Sequence, residues 1–158
     1  MADLNYIPVT GIVLNVTPLS GQCCNLMVAI KTSNGISNLI ISPDTYVIDN
    51  VRLRPGMQVI GFYDANAPVP LIFPPQYRAI VIGRTRPRES IAFNYFDDTL
   101  TAGDNSLKLN VDRSTQILSS NGQNYTCSVA NQFLIVYYTA STRSIPPQTT
   151  PRKIIVMC

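Results

Sequence analysis

Leu39-Ile40-Ile41-Ser42-Pro43-Asp44-Thr45-Tyr46-Val47-Ile48 is answered in the second half of the chain by Leu109-Asn110-Val111-Asp112-Arg113-Ser114-Thr115-Gln116-Ile117-Leu118. In each copy an apolar run leads through a short polar turn to a Thr, and then at equal spacing to a second apolar run. The parallel continues downstream, where Val59-Ile60-Gly61-Phe62-Tyr63 corresponds to Leu134-Ile135-Val136-Tyr137-Tyr138. Both segments are followed by a polar, proline-bearing loop that ends in Pro-Pro-Gln. These motifs are Phe73-Pro74-Pro75-Gln76 and Ile145-Pro146-Pro147-Gln148, and each precedes a last apolar run, Ala79 to Ile82 or Ile154 to Met157. Three matches in the same order read as an internal repeat, with one unit over residues 1–83 and a second over 84–158.

The repeated unit is written in strands. No window of eleven or more residues keeps apolar positions at i, i+3, i+4 and i+7 without a Pro or Gly, so helices are limited to single turns. Short β-branched and aromatic runs recur instead between turn signals, as in an all-β protein. Strands are expected near Ile7 to Val16, Asn25 to Lys31, Ile36 to Ile41, Gln58 to Tyr63 and Tyr77 to Ile82. Further ones are expected near Ser90 to Phe96, Ser106 to Val111, Gln132 to Tyr138 and Lys153 to Met157. Thr32-Ser33-Asn34-Gly35 carries the Asn-Gly pair of a tight hairpin turn.

One unit thus runs strand, strand, strand, short crossing segment, strand, long Pro-rich loop, closing strand. That order resembles the OB-fold, the five-stranded oligonucleotide/oligosaccharide-binding barrel. The expectation is an all-β chain of two tandem, small, OB-like antiparallel barrels, closely fused, with almost no helix. The stretch around Asp44 to Pro55 replaces the usual helix. The second unit shows only one clear strand before its third-strand equivalent, so it has lost a strand or borrows one. Tyr77 to Arg88 is expected to form a ribbon shared by both barrels.

Composition removes whole classes of chemistry. At 158 residues and 46% hydrophobic, with no apolar run near the ~18 residues that cross a bilayer, the chain buries a core and no membrane role is expected. The absence of His removes the commonest general base, every Ser-His-Asp or Cys-His arrangement and the usual zinc ligand set. Glu89 is the single glutamate, and Asp97, Asp98 and Asp104 read as turn acids rather than a catalytic pair. No catalytic residue, metal or cofactor is expected, and no small-molecule ligand.

Cys23, Cys24, Cys127 and Cys158 fit neither zinc-pair nor redox-dithiol spacing. They read either as buried small side chains or as cross-links between subunits. In an extended strand Cys23 and Cys24 point to opposite faces, and a Cys at position 158 can reach another copy. Cross-linking requires an oxidising compartment. Residues 1–5 lack the basic and apolar regions of a signal peptide.

Two binding roles follow from the surface. Single-stranded nucleic acid needs a basic groove with aromatic platforms. Arg84, Arg86 and Arg88, alternating on one strand face, with Tyr95 nearby, are the candidates. A net charge of +3, from 12 basic and 9 acidic residues, argues against a strong phosphate-binding stripe. Self-association is favoured instead, because charged residues are only 13%, about half the ~25% of ordinary chains. Little like-charge repulsion then keeps copies apart. The expected contacts are an N-terminal arm from Met1 to Pro8, including Tyr6, Ile7 and Pro8, and the loops of Phe73, Pro74, Pro75, Ile145, Pro146 and Pro147.

The strings Thr142 to Pro151 (TRSIPPQTTP) and Thr99 to Val111 (TLTAGDNSLKLNV) look like those of small bacterial proteins that resemble the OB-domain subunits of extracellular tubules and filaments. The resemblance covers most of the chain, and its motifs are structural. It implies a homopolymer outside the cell or at a cell or spore surface.

Overall fold

The structure, a computed structural model, describes residues 5–158, and Met1 to Leu4 of the expected arm lie outside the described residues. The chain is all-β and divides between Thr85 and Arg86 into two compact units.

In the first unit β1 (Tyr6–Leu19), β2 (Gln22–Thr32) and β3 (Gly35–Ile41) form a meander. β4 (Tyr46–Val47) and a 3₁₀ turn (Ile48–Asn50) follow, then β5 (Gln58–Asp64) and β6 (Gln76–Arg84). β5 pairs with β1 and with β6, and β6 also pairs in parallel with β3, so the five strands close the ring β1-β2-β3-β6-β5. Closure leaves fewer free sheet edges, and it gives inward side chains a shared core. Val9, Val13, Val28, Ile30, Leu39, Ile41, Val59, Ala79 and Ile82 fill it.

β1 serves two neighbours in succession: Tyr6 to Ile12 register with β5, and Ile12 onward registers with β2. Gly11 sits at the changeover, where a Cβ would lie 2.0 Å from the Lys31 carbonyl oxygen. Only a residue without a side chain permits that approach. The β2–β3 hairpin turns as expected, with Thr32 opposite Gly35, Gly35 at φ 120° and the Asn34 amide donating to Thr32 Oγ1. Ser33 and Asn34, rather than Asn34 and Gly35, are its central pair.

The second unit holds β7 (Ser90–Phe96), β8 (Lys108–Leu109), β9 (Gln116–Ser119), β10 (Gln132–Tyr138), β11 (Gln148–Thr149) and β12 (Lys153–Val156). Its pairings restate those of the first. β7–β10 and β10–β12 are antiparallel like β1–β5 and β5–β6, while β8–β11 and β9–β12 are parallel like β3–β6 and β4–β6. The core matches as well, with Leu109, Leu134 and Ile154 buried where the first unit has Leu39, Val59 and Ile82.

Three expectations need correction. The sheets are not purely antiparallel, because β3 and β4 pair in parallel with β6, as β8 does with β11 and β9 with β12. The strand expected over Ser106 to Val111 is reduced to β8. In place of β2 the second unit has only the bridges Phe96 to Ala102 and Thr101 to Lys108. Between β11 and β12 Pro151 has no N–H to give a ladder, and its carbonyl accepts from Thr115 Oγ1 at 2.7 Å. Finally, no ribbon is shared over Tyr77 to Arg88. β6 ends at Arg84 and, among the described residues, pairs with β3, β4 and β5 only, and a turn with the Glu89 amide donating to the Arg86 carbonyl and Arg88 at φ 63° precedes β7.

Candidate functional site

The Pro-Pro-Gln motifs occupy equivalent places and are held by equivalent bonds. The Pro75 carbonyl accepts from the Asn38 amide at 2.9 Å, and the Pro147 carbonyl accepts from the Lys108 amide at 2.8 Å. Gln76 registers with Asn38 and Gln148 with Lys108, so each motif delivers its closing strand onto β3 or β8. The Phe73–Pro74 and Ile145–Pro146 peptide bonds are both cis.

Anchoring the prolines leaves the preceding apolar residue outside. Pro74, Pro75, Pro146 and Pro147 are half-buried, whereas Phe73 is 92% and Ile145 93% exposed. Leu71 and Ile72 are exposed beside Phe73 in sequence. The second loop is pinched at its base, where the Thr142 amide donates to the Gln148 carbonyl and the Gln148 amide donates to Thr142 Oγ1. Ile145 is thereby presented on a fixed tip. Two large apolar side chains held in water at repeated positions are unfavourable for an isolated chain and suited to contact.

The other expected contacts fall differently. Tyr6, Ile7 and Pro8 are not part of a free arm but the first residues of β1, registered with Asp64, Tyr63 and Phe62. Pro8 is tolerated because β1 has β5 on one side there and its pairing with β2 begins only at Ile12. Beside it lies a groove of about 460 Å³ whose walls include Thr10, Ser33, Tyr63, Phe73 and Tyr77. The Tyr63 and Tyr77 rings stack with centroids 3.9 Å apart and 8° between planes. Burial first, and then Tyr77, raises the Tyr63 phenol above its ordinary range.

All four cysteines are free and exposed, so burial as small apolar side chains does not describe them. Cys23 and Cys24 lie in an irregularity between the pairs Pro18–Leu26 and Leu19–Gln22, near the tip of the β1–β2 hairpin.

The arginine stripe does not form as expected. Arg84 ends β6, Arg86 lies outside any strand and Arg88 in a turn, so the three share no strand face. Tyr95 is half-buried, stands edge-on to Phe133 at 5.4 Å and donates to Asn131 Oδ1 at 3.4 Å. Arg84 instead joins Arg52 and Arg54 around a second groove, which also includes Val51, Pro55, Gly56 and Met57. Arg52 and Arg54 were not among the expected residues, although the alternation Val51-Arg52-Leu53-Arg54 puts two cations on one side of an extended segment.

The acidic turn is a folding device. Asp97 Oδ1 accepts from the Thr99 amide, the Thr99 hydroxyl and the Thr101 amide, and the Thr101 bond foremost holds its carboxyl below the ordinary range. Asp104 similarly accepts from the Ser106 amide and hydroxyl. Among the described residues no three Cys, Asp or Glu side chains gather so as to hold a metal ion.

No family model matches the chain, and no curated protein matches it.

Proposed function

We propose that this chain is a structural, self-assembling subunit that builds a homopolymer, an extracellular filament or tubule of tandem OB-like barrels. The observation that carries this reading is the repeated placement of Phe73 and Ile145, almost wholly exposed, on anchored Pro-Pro-Gln loops. Burying one such side chain stabilises a contact by about 1.5–3 kcal/mol. A low-charge surface opposes that contact little. The two loops belong to non-identical units, so a contact between the first unit of one copy and the second of another is heterologous. Contacts of that kind close into rings or extend into filaments. Four exposed thiols suit an oxidising exterior, where they can join copies.

The runner-up, single-stranded nucleic-acid binding, has less support because Arg84, Arg86 and Arg88 share no strand face. Negative-stain microscopy with sedimentation across a concentration series, with and without oligonucleotide, tests both. Filaments or tubules without nucleic acid are expected, together with monomers from the double variant Phe73→Ser/Ile145→Ser. Wild-type protein that stays monomeric at high concentration overturns the assembly reading.

A further inference from the structure

The groove of Arg52, Arg54 and Arg84 belongs to no part of the assembly reading. Residues 1–85 contain five basic side chains, and three of them line this single groove of about 540 Å³, the others being Lys31 and Arg78. No carboxylate lines it, and none of the three guanidiniums is ion-paired among the described residues. In a chain with so few charges, such a concentration of cations without a counter-charge is a feature to be explained.

The supporting backbone is fixed from two directions. Residues 55–57 are tied to β1, since the Gly56 amide donates to the Val13 carbonyl at 2.8 Å and the Val13 amide donates to the Met57 carbonyl at 2.9 Å. Leu53 and Met57 pack against the core, which turns Arg52 and Arg54 outward. Arg84 is registered with Val59 at the end of β6, and the next amide, Thr85, donates to the Gln58 carbonyl at 3.0 Å. Three planar forks therefore face one groove from two held segments. Each fork can grip a pair of oxygens, a geometry suited to phosphate and beyond a simple point charge.

We infer that this groove binds a small oxyanion bearing two or more adjacent phosphate groups. Three arginines spread along a groove far larger than one phosphate match a chain of phosphoryl groups, and the volume lies in the ~300–1,000 Å³ range of small-molecule sites. Val51, Pro55 and Met57 add an apolar wall that an organic moiety can contact. The chemistry is shared by free inorganic polyphosphate and by an organic phosphate ester such as a nucleoside triphosphate.

Isothermal titration of the full chain at low ionic strength with inorganic tripolyphosphate, orthophosphate and a nucleoside triphosphate tests the site. Tripolyphosphate should bind, and orthophosphate at least about tenfold more weakly. Each single Arg→Ala substitution should weaken tripolyphosphate about tenfold, the scale of one charge-assisted hydrogen bond. The triple variant should lose binding with an unchanged thermal melt, because all three side chains are exposed. The triple Arg→Lys variant, which keeps charge and loses the forks, should bind several-fold more weakly than wild type. A nucleoside triphosphate tighter than tripolyphosphate identifies an ester as the source, and equal affinity identifies free polyphosphate. The inference is overturned if wild type binds no tripolyphosphate, if orthophosphate binds as tightly, or if either triple variant binds like wild type.

Discussion

Thr115 Oγ1 donates to the carbonyl oxygen of Pro151 at 2.7 Å in the buried interior of the second unit, and Thr45 Oγ1 donates to the Ala79 carbonyl at 2.8 Å in the first. Each Thr stands one residue before the short strand that pairs in parallel with the closing strand, β4 on β6 and β9 on β12. Each also closes its own turn, through Thr45 N to the Ser42 carbonyl and Thr115 N to the Asp112 carbonyl. The hydroxyl therefore fixes the register between crossing segment and closing strand.

Thr115→Val keeps the shape and orphans a buried carbonyl, which costs about 1–3 kcal/mol. Urea denaturation should show that loss. Thr45→Val, at a half-buried site, should lose about 1 kcal/mol or less. Equal stability of Thr115→Val and wild type would show that water or another donor satisfies Pro151.

Gly11→Ala should destabilise by about 1–3 kcal/mol or more, because its Cβ would meet a backbone oxygen that cannot rotate away. Gly103→Ala is the control, since its nearest neighbour would be 3.7 Å off. Thermal melts of the two should differ clearly, and matched melts would show that β1 can shift away from Lys31.

Glu89 accepts from Arg152 Nε at 2.7 Å and from Nη2 at 2.9 Å, with its own side chain only 6% exposed. The Arg152 hydrogen bond foremost holds the Glu89 carboxyl below its ordinary value of 4.5. A depressed folded-state value means stability that is present above the ordinary value and lost as pH falls through the lower, folded one. Glu89→Gln should cost about 1 kcal/mol at neutral pH. The difference from wild type should shrink as pH falls below 4.5 and vanish in stronger acid. A gap that persists there would assign the loss to packing.

Non-reducing electrophoresis of the native protein should show multimers that collapse on reduction, and Cys23→Ser/Cys24→Ser should remove part of the ladder. A single monomer band before reduction would end the cross-linking role.

Strand positions were legible because apolar alternation needs only neighbours along the chain: nearly every expected run became a strand, and the hairpin at Thr32 to Gly35 turned where expected. The repeat was legible too, down to Thr45 and Thr115. The candidate site was less so. Exposure of Phe73 and Ile145 depends on prolines being drawn inward by amides of Asn38 and Lys108, distant in sequence. The three-arginine groove depends on β6 ending beside the loop that follows the 3₁₀ turn.

Local pattern by itself determined that the chain is all-β, where its longer strands run and that its two halves repeat, since backbone propensity and side-chain alternation are short-range. Only the tertiary structure decided ring closure through β3 and β6, the shrinkage of one hairpin to two bridges and the absence of a free arm at Tyr6 to Pro8. Those outcomes follow from which backbone donors and acceptors remain unsatisfied once the local strands have formed, and that balance is settled only when distant segments meet.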